Sequence, residues 1–411
     1  MRACLCGFGL SPLRRPPHAL TAILVGAGIT ACQSSIGVGP SPSPSAPSAP
    51  SAPSASPVPL PTCAAGPAAP AGAQPILTGL PAPDDLAFDA QGRLLFSDIQ
   101  AGTVSRREPD GSVQTLARGI RNPEGIVVQA DGTLLVAEQL LNRVDVVDPQ
   151  THTVASWRVF PNRTGRDGID GLGLDRATHD VVLPDSPNGV VWRLPSDGSR
   201  ATQIGQGMVR PVGADVDVHA NVFVADEGGA IWKIAGSPPT QVRVASLRIP
   251  DDVLVDRNGA LIVNTLGDGM VHLVGADGSI TSLLSGLRNP QGIALDSAGN
   301  LFVTEFDAGR IDQLVRAFVL GPASVTRVDS TTVTICPSVR RAAGYALPLA
   351  VSLADSHGGL QAVIASLPAA GDTSGAIAVH IDPADHSGVV DLRVSDGDRM
   401  LVQHIALPPT S

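Results

Sequence analysis

The chain has 411 residues, of which 43% are hydrophobic and 16% are charged, and its formal net charge is −10 at pH 7. A chain of this length and composition can bury at least one large core, which excludes disorder throughout. The negative charge argues against nucleic acid as a partner. With 3% aromatic residues, 44 glycines and 36 prolines, the composition favours many short strands joined by tight turns, and we expect a mostly β protein.

Residues 1–31 have the layout of a secretory signal peptide. A pair of arginines precedes an apolar stretch from Ala19 to Ile29, which is too short to be a stable membrane span. The run Ile29-Thr30-Ala31-Cys32 resembles a bacterial lipobox, which implies cleavage before Cys32 and attachment of lipid to it. We therefore expect an extracytoplasmic lipoprotein that is anchored to a membrane at Cys32. Ordinary signal cleavage, with Cys32 as a spare thiol, is the alternative.

Residues 32–73 are predicted to form a spacer between the anchor and the folded part. From Gln33 to Pro61 the chain is nearly all Pro, Ser, Ala and Gly, a composition that favours extended polyproline conformations. Once the signal and the anchor are set aside, Cys63 and Cys336 are the remaining cysteines, and they flank the region between them. In an exported protein we expect them to form a disulfide, with two unpaired thiols as the alternative.

One pattern recurs six times between residues 74 and 317. Each copy has an apolar run, a turn that reads Asp-x-x-Gly in three of the six copies, and a second apolar run that commonly ends in an acid, which predicts a hairpin. A proline precedes the first residue of every copy except the third. The first residues of successive copies are 40, 46, 42, 39 and 40 residues apart. A period near forty with two turn signals is typical of a four-stranded β-propeller blade. The copies begin at Asp84, Glu124, Asp170, Val212, Asp251 and Gln291.

The sequence also predicts how the ring closes. The segment Gln74–Leu80 matches the fourth strands of other copies, whereas the last copy ends after three strands, near Val315. We predict that the N-terminal strand completes the sixth blade, so that no sheet edge is left open. This closure would bring Cys63 and Cys336 into one neighbourhood.

Two copies carry a recognisable resemblance. Leu287–Ile311 contains Pro290-x-Gly-Ile-Ala-x-Asp, Gly299-Asn-Leu-x-Val and Gly309-Arg-Ile, and it resembles the NHL repeat; Asn122–Val144 is similar. The other copies are also similar to the gluconolactonase (senescence-marker) and strictosidine-synthase-like propellers. The resemblance implies an all-β, six-bladed β-propeller over residues 74–317. The alternating apolar residues of 318–411 predict a small β-sandwich after it.

Chain direction places the starts of the inner strands and the ends of the second strands at one mouth of the central channel. The acids at inner-strand starts are Asp84, Glu124, Asp170 and Asp251, with Gln291 at the same position in the last copy. The acids at or near second-strand ends are Asp98, Glu138, Asp185, Asp226 and Glu305. Four arginines precede the copies on the same face, namely Arg121, Arg210, Arg248 and Arg288.

Nine acids in one ring require neutralisation, because like charges repel and raise each other's pKa. One possibility is a structural ring of arginine–carboxylate pairs. The other is a divalent cation, with Ca²⁺ the natural candidate, held by Glu124, Asp170, Asp251 and Asp84. The sequence leaves both open.

Two functions are compatible with this arrangement. The resemblance to gluconolactonases implies a catalytic divalent metal held by a Glu at an inner-strand start, which Glu124 matches, together with Asp and Asn residues; none of the six starts is Asn. We therefore predict a monomeric extracytoplasmic module that binds a small molecule, a glycan or a protein. The alternative is a metal-dependent lactonase or esterase, and an envelope scaffold without a small ligand is a third possibility.

Overall fold

The computed structural model describes residues 71–162, 164–327, 332–343, 345, 347, 349–355, 360–367, 377–380 and 388–407. The signal peptide, Cys32, most of the spacer and Cys63 lie outside these residues, so the expectations for them stay predictions. Within the described ranges, no helix is long and apolar enough to cross a membrane. The chain there is built from strands, with short 3-10 segments at Gln139–Leu141 and Phe306–Ala308.

Six four-stranded antiparallel sheets follow one another in the described part of residues 74–314. The first strand of the described residues is β1 (Gln74–Thr78). Sheet 1 contains β2 (Pro83–Phe88), β3 (Leu94–Asp98), β4 (Thr103–Arg107) and β5 (Val113–Arg118). Sheet 2 contains β6 (Pro123–Val128), β7 (Leu134–Glu138), β8 (Arg143–Asp148) and β9 (Thr153–Val159). Sheet 3 contains β10 (Gly173–Leu174), β11 (Val181–Asp185), β12 (Val190–Leu194) and β13 (Thr202–Gln206). Sheet 4 contains β14 (Pro211–Val216), β15 (Val222–Asp226), β16 (Ala230–Ala235) and β17 (Thr240–Ser246). Sheet 5 contains β18 (Pro250–Val255), β19 (Leu261–Thr265), β20 (Met270–Val274) and β21 (Ile280–Ser285). Sheet 6 contains β22 (Pro290–Leu295), β23 (Leu301–Glu305), β24 (Arg310–Leu314) and β1.

The six sheets form a closed ring around their first strands. First strands contact one another between sheets 1 and 2, 3 and 4, 4 and 5, and 5 and 6, and β22 of the last sheet contacts β2 of the first. Between sheets 2 and 3, the N–H of Gly125 on β6 donates to the carbonyl of Asp170, just before β10. Between sheets the core is apolar: Leu95 and Val104 of sheet 1 pack with Ile126 and Val136 of sheet 2. We call the side where the first strands begin the mouth face, and the side that carries the turn from first to second strand the far face.

The closing strand is β1, as the sequence predicts. It pairs with β24 in the antiparallel direction, with Gln74 opposite Gln313 and Thr78 opposite Arg310. The outermost strand of sheet 6 is thus supplied from the other end of the repeat region. This pairing gives sheet 6 the same four-stranded construction as its neighbours.

The first strands begin with a bulge. In sheets 1, 2, 4, 5 and 6 the register with the second strand shifts just after the leading proline, for example between Pro83 and Leu86. Proline suits the first position of a strand because it has no N–H to contribute to the ladder. The bulge takes the two residues after proline out of the ladder and redirects their side chains. The first of these two positions is that of the predicted inner-strand acids.

Polar side chains of the second strands bind the backbone that the bulge frees. The N–H of Asp85 donates to Ser97 Oγ (2.9 Å), that of Asp252 to Asn264 Oδ1 (2.8 Å), and that of Gly292 to Thr304 Oγ1 (2.8 Å). A buried N–H without an acceptor is costly, so these bonds stabilise the bulge.

The C-terminal region contains two further sheets in its described residues. One has the order β25 (Phe318–Arg327), β26 (Thr332–Arg341), β29 (Ile377–His380). The other has the order β28 (Leu360–Leu367), β27 (Leu349–Asp355), β30 (Val389–Ser395), β31 (Met400–Ala406). Buried side chains of both, including Ile335, Leu353 and Leu392, form one hydrophobic core. Cys336 on β26 is disulfide-bonded.

Candidate functional site

The bulged first strands surround a narrow axial cavity. Its empty volume is about 280 Å³, of which about 20 Å³ can hold the centre of a water molecule. That is room for one or two waters and not for a metabolite. The lining residues come from the two bulge positions: Asp84, Asp85, Gly125, Asp170, Gly171, Leu172, Gly213, Asp251, Asp252, Gln291 and Gly292.

Three of the predicted inner-strand acids are buried and have raised pKa values. Asp84, Glu124 and Asp251 are 5%, 4% and 7% exposed. Burial first, and then the charge of Asp170, raise the pKa of each of these three carboxyl groups well above its ordinary value. Hydrogen bonds join the Glu124 carboxyl to Asp84 and to Asp170. A hydrogen bond between two carboxyl groups needs a proton, which agrees with the raised pKa values of this group.

Arg210 is the arginine that neutralises this cluster. Its Nη2 lies 2.8 Å from Asp170 Oδ2, and its Nη1 lies 3.0 Å from Glu227 Oε1. The two carboxylates raise the pKa of Arg210 further above its already high value, against the effect of burial. Burial raises the pKa of Glu227, and Arg210 opposes that shift. The predicted Arg–carboxylate pairing is therefore present at one of the four arginines.

Two acids of the cavity were missed by the sequence reasoning, Asp85 and Asp252. Burial raises the pKa of Asp85 to about 7, although its Oδ2 accepts the N–H of Ile126 at 2.6 Å. Burial and then the charge of Asp85 raise the pKa of Asp252 well above its ordinary value. The sequence did carry a signal for them. Two aspartic acids follow Pro83 and Pro250, whereas in the other copies with a leading proline the second residue after that proline is glycine.

Glycine in the neighbouring strands makes room for these two acids. A Cβ added to Gly213 would lie 2.4 Å from Asp252 Oδ1, and one added to Gly292 would lie 2.6 Å from the Cα of Asp85. Contacts this short do not occur, so the glycines and the acids occupy complementary positions around the axis. The cavity is filled by the protein's own residues.

Comparisons with known proteins identify the fold. No protein-family profile matches the sequence, and no curated protein is similar to it. Among solved structures, a gluconolactonase from Xanthomonas campestris is similar with a TM-score of 0.51 and 20% identity, over 59% of this chain and 88% of that one. A second gluconolactonase-like protein has a TM-score of 0.50 and 17% identity, over 68% of this chain and 99% of that one. The chain is a β-propeller. A streptogramin B lyase is also similar, with a TM-score of 0.47, 12% identity, and 59% and 96% coverage.

The second-strand acids of the propeller do not join the axial cluster, because they bind the loops of the mouth face. Four of the five accept a backbone N–H of the loop that leads into their own sheet. The N–H of Ala82 donates to Asp98 (3.1 Å), that of Arg121 to Glu138 (2.9 Å), that of Arg210 to Asp226 (2.8 Å) and that of Arg288 to Glu305 (2.8 Å). Asp185 accepts instead from Trp192 Nε1 (3.0 Å) and Asn188 Nδ2 (2.8 Å). The nine predicted acids thus separate into an axial group and a loop-binding group.

Third strands supply a further partner for these loop-binding acids. In sheet 4, Trp232 Nε1 donates to Asp226 Oδ2 (3.1 Å). In sheets 2 and 6 the partners are Asp145, hydrogen-bonded to Glu138, and Asp312, hydrogen-bonded to Glu305. Burial, followed by that hydrogen bond, raises the pKa of each of these two aspartic acids to about 6.

The remaining predicted arginines of the propeller lie on the mouth face and are exposed. Arg121, Arg248 and Arg288 have no ion-pair partner within 4.0 Å among the residues that the structure describes.

Gln291 lines the cavity, and its Nε2 lies 3.2 Å from Asn289 Oδ1. Three apolar side chains on the same face are also exposed: Leu140 (61%), Val209 (60%) and Ile249 (44%).

The predicted metal site does not fit the side chains as they are placed. In the described residues, no three His, Cys, Asp or Glu side chains are grouped so that they could hold a metal ion. Asp170 is bonded to Arg210, and Glu124 to two other carboxyl groups. We derive no chemical step through a metal here.

Proposed function

We propose that this propeller is an exported, lipid-anchored binding module whose mouth face docks a protein partner. The axial cavity has room for only one or two waters and is lined by carboxyl groups, so recognition takes place on the rim. Arginine is enriched where protein interfaces carry their binding energy, and the exposed Leu140, Val209 and Ile249 add apolar contact area on the same face. A glycan site would use aromatic platforms, and the chain has 3% aromatic residues.

Ile249 is the observation that carries this proposal. It adopts φ 50°, in the left-handed region that disfavours β-branched residues, and its side chain is 44% exposed. The equivalent residues before Pro123 and Pro290 are Asn122 and Asn289, which tolerate the same conformation at φ 52° and 55°. Strain of this kind at an exposed position is typical of functional sites. We infer that the Ile249 side chain is an apolar anchor for the partner.

The test compares Ile249→Asn with Val218→Ser, which removes another exposed apolar side chain (92%) on the far face. Ile249→Asn should raise the free energy of unfolding by about 1 kcal/mol, because asparagine accepts the left-handed conformation. The same change should weaken capture of envelope proteins in a cross-linking pull-down at least about tenfold, the effect of losing one anchor. Val218→Ser should leave capture intact. Equal capture by all three proteins contradicts the proposal.

A metal-dependent lactonase is the second candidate, because acidic side chains converge at the axis and two gluconolactonase-like proteins share the fold. Its test is hydrolysis of gluconolactone with EDTA, Ca²⁺, Mg²⁺ or Mn²⁺. Metal-dependent turnover that Glu124→Gln abolishes would establish the enzyme and displace the docking proposal. The absence of turnover with every ion would remove this candidate.

A further inference from the structure

A groove lies between the outermost strands of sheets 3 and 4, on the outer wall of the ring. Its volume is about 950 Å³, and residues of β13 and β17 line it. The lining consists of three glutamines, two glycines and three apolar residues, so none of its side chains is ionisable. The whole chain has a net charge of −10. The groove is therefore an uncharged strip on the surface of an acidic protein.

The strand β13 is the edge strand of sheet 3. It pairs with β12 on one side, with Gln206 opposite Val190, and no described strand pairs with its other side. The free side of an edge strand presents backbone N–H and C=O groups that can pair with another chain. The other sheets of the ring also have an outer edge, and what distinguishes the edge of β13 is the partner of Gln206.

A side-chain amide occupies this edge in the manner of a neighbouring strand. The N–H of Gln206 donates to Gln241 Oε1 (3.0 Å), and Gln241 Nε2 donates to the carbonyl of Gln206 (2.9 Å). The amide thus supplies the same acceptor and donor as a residue of an adjacent antiparallel strand. The backbone of Gln206 is therefore accessible and oriented for main-chain pairing, and Gln241 substitutes for a partner strand.

The lining of the groove determines which partner fits. A charged side chain would leave water here without gaining an opposite charge, which is costly, so an uncharged segment is favoured. A glycan site would use aromatic platforms, and no lining residue is aromatic. The strand β13 has 5 residues, or about 17 Å of extended chain, so the matching segment of a partner is about six residues long.

We propose that the groove between β13 and β17 binds an extended, uncharged peptide segment of another protein, which adds as a strand to the edge of β13. The incoming main chain replaces the Gln241 amide on the backbone of Gln206, and main-chain hydrogen bonds supply the affinity, as in other cases of strand addition. The side chain of Gln203, which donates to Gln206 Oε1 at 3.0 Å, is a further donor in the groove. This inference does not depend on the docking proposed for the mouth face.

The test measures the binding of labelled hexapeptides to the full-length protein by fluorescence anisotropy. One probe is acetyl-Thr-Val-Thr-Val-Thr-Val-amide, which is uncharged and favours an extended conformation. The second probe has the same sequence with every backbone nitrogen methylated, so it cannot donate main-chain hydrogen bonds. The first should bind at least about tenfold more tightly than the second, because several such bonds are lost together. Equal affinities, or no binding of the first probe, overturn the proposal, and so does tighter binding of cellohexaose, which would assign the groove to a glycan.

Matched variants locate the peptide on β13. Gln206→Pro removes the N–H that faces the groove, a change that an edge strand tolerates, and should weaken binding of the first probe about two- to tenfold, the effect of one hydrogen bond. Ser285→Pro makes the same change in β21, where Ser285 stands opposite Met270 as Gln206 stands opposite Val190, and should leave binding unchanged. Gln241→Ala removes the amide that the peptide displaces and should tighten binding.

Equal binding by the two proline variants, or weaker binding by Gln241→Ala, places the peptide elsewhere and overturns the proposal. If Gln206→Pro does not fold, the methylated probe and Gln241→Ala still decide between the two results.

Discussion

Two sets of buried carboxyl groups in this propeller have similar exposure and opposite electrostatics. Glu124, on the axis, is 4% exposed, and burial followed by the charge of Asp170 raises its pKa well above the ordinary value, whereas Glu305, at the end of a second strand, is fully buried. Burial disfavours the charged form of Glu305, but the N–H of Arg288 and the guanidinium of Arg310 outweigh it and lower its pKa. Burial alone therefore does not set the charge of these acids; the donors that face them do.

The first prediction removes a loop-binding acid and has the largest expected effect. Asp226 accepts from the N–H of Val209 (3.2 Å), the N–H of Arg210 (2.8 Å) and the indole of Trp232 (3.1 Å). Asp226→Ala leaves these donors without an acceptor and should lower the free energy of unfolding by about 3–5 kcal/mol. Urea denaturation measures it. Asp226→Asn keeps an acceptor oxygen and should lose less; equal losses would contradict this account.

The second prediction compares the same substitution, Glu to Gln, in the loop-binding group and in the axial group of acids. Glu138 is 2% exposed, binds the N–H of Arg121 and pairs with Arg143, so Glu138→Gln should cost about 2 kcal/mol at pH 8. Glu124→Gln replaces a carboxyl group whose charged form is disfavoured by burial with an amide of the same shape, so it should change stability by less than about 1 kcal/mol. Both values come from denaturation curves recorded in parallel. A larger loss for Glu124→Gln would reverse the assignment of charges.

The third prediction concerns pH. The pKa of Asp85 is about 7 in the folded state against 3.8 for an ordinary aspartate, so its stabilising effect is complete below pH 3.8 and disappears as the pH rises through 7. Glu305 has a lowered pKa, and its contribution is present above 4.5 and lost as the pH falls through its folded value. The melting temperature should therefore be higher at pH 5 than at pH 8 and should fall again in stronger acid. In Asp85→Asn the decline from pH 5 to pH 8 should be smaller; an unchanged decline would exclude Asp85 as a contributor.

The smallest effect is expected on the mouth rim. Arg121, Arg248 and Arg288 are exposed, and removing exposed charges without partners changes stability by about 0.5 kcal/mol or less. The triple change to serine should leave the melting temperature within about 2 °C. Arg210→Ser, which leaves Asp170 and Glu227 without their guanidinium, is the contrasting variant and should melt lower. Similar melting of both variants would mean that Arg210 does not stabilise the axis.

Much of the fold could be predicted because the repeat specifies it locally. Turn residues such as Asp89 act within their own hairpin, and the closing strand could be recognised because Gln74–Leu80 matches other fourth strands. The axial acids Asp84, Asp170 and Asp251, and Glu124 beside them, were also found, since each stands at the start of a copy. These features depend on neighbours close in sequence or on the period itself.

The sequence reasoning failed where the bulge breaks the alternation of the strand. Regular alternation would direct Asp85 away from the side of Asp84, yet both line the cavity. The arginines show a second limit. Arg210 directly precedes its proline, whereas Arg121, Arg248 and Arg288 stand two residues before theirs. The sequence shows this difference of one residue. Only the structure shows that the guanidinium of Arg210 pairs with Asp170.

The pairing of β1 with β24 also constrains the order in which the chain can fold. β1 leaves the ribosome first among the described strands, and its partner β24 follows only after the strands of the five other sheets have been synthesised. Until then β1 is an unpaired strand, and the long separation makes its docking a slow step. Ring closure is therefore a late event in the folding of this chain, and a product that stops before Arg310 would keep an open edge able to pair with other molecules.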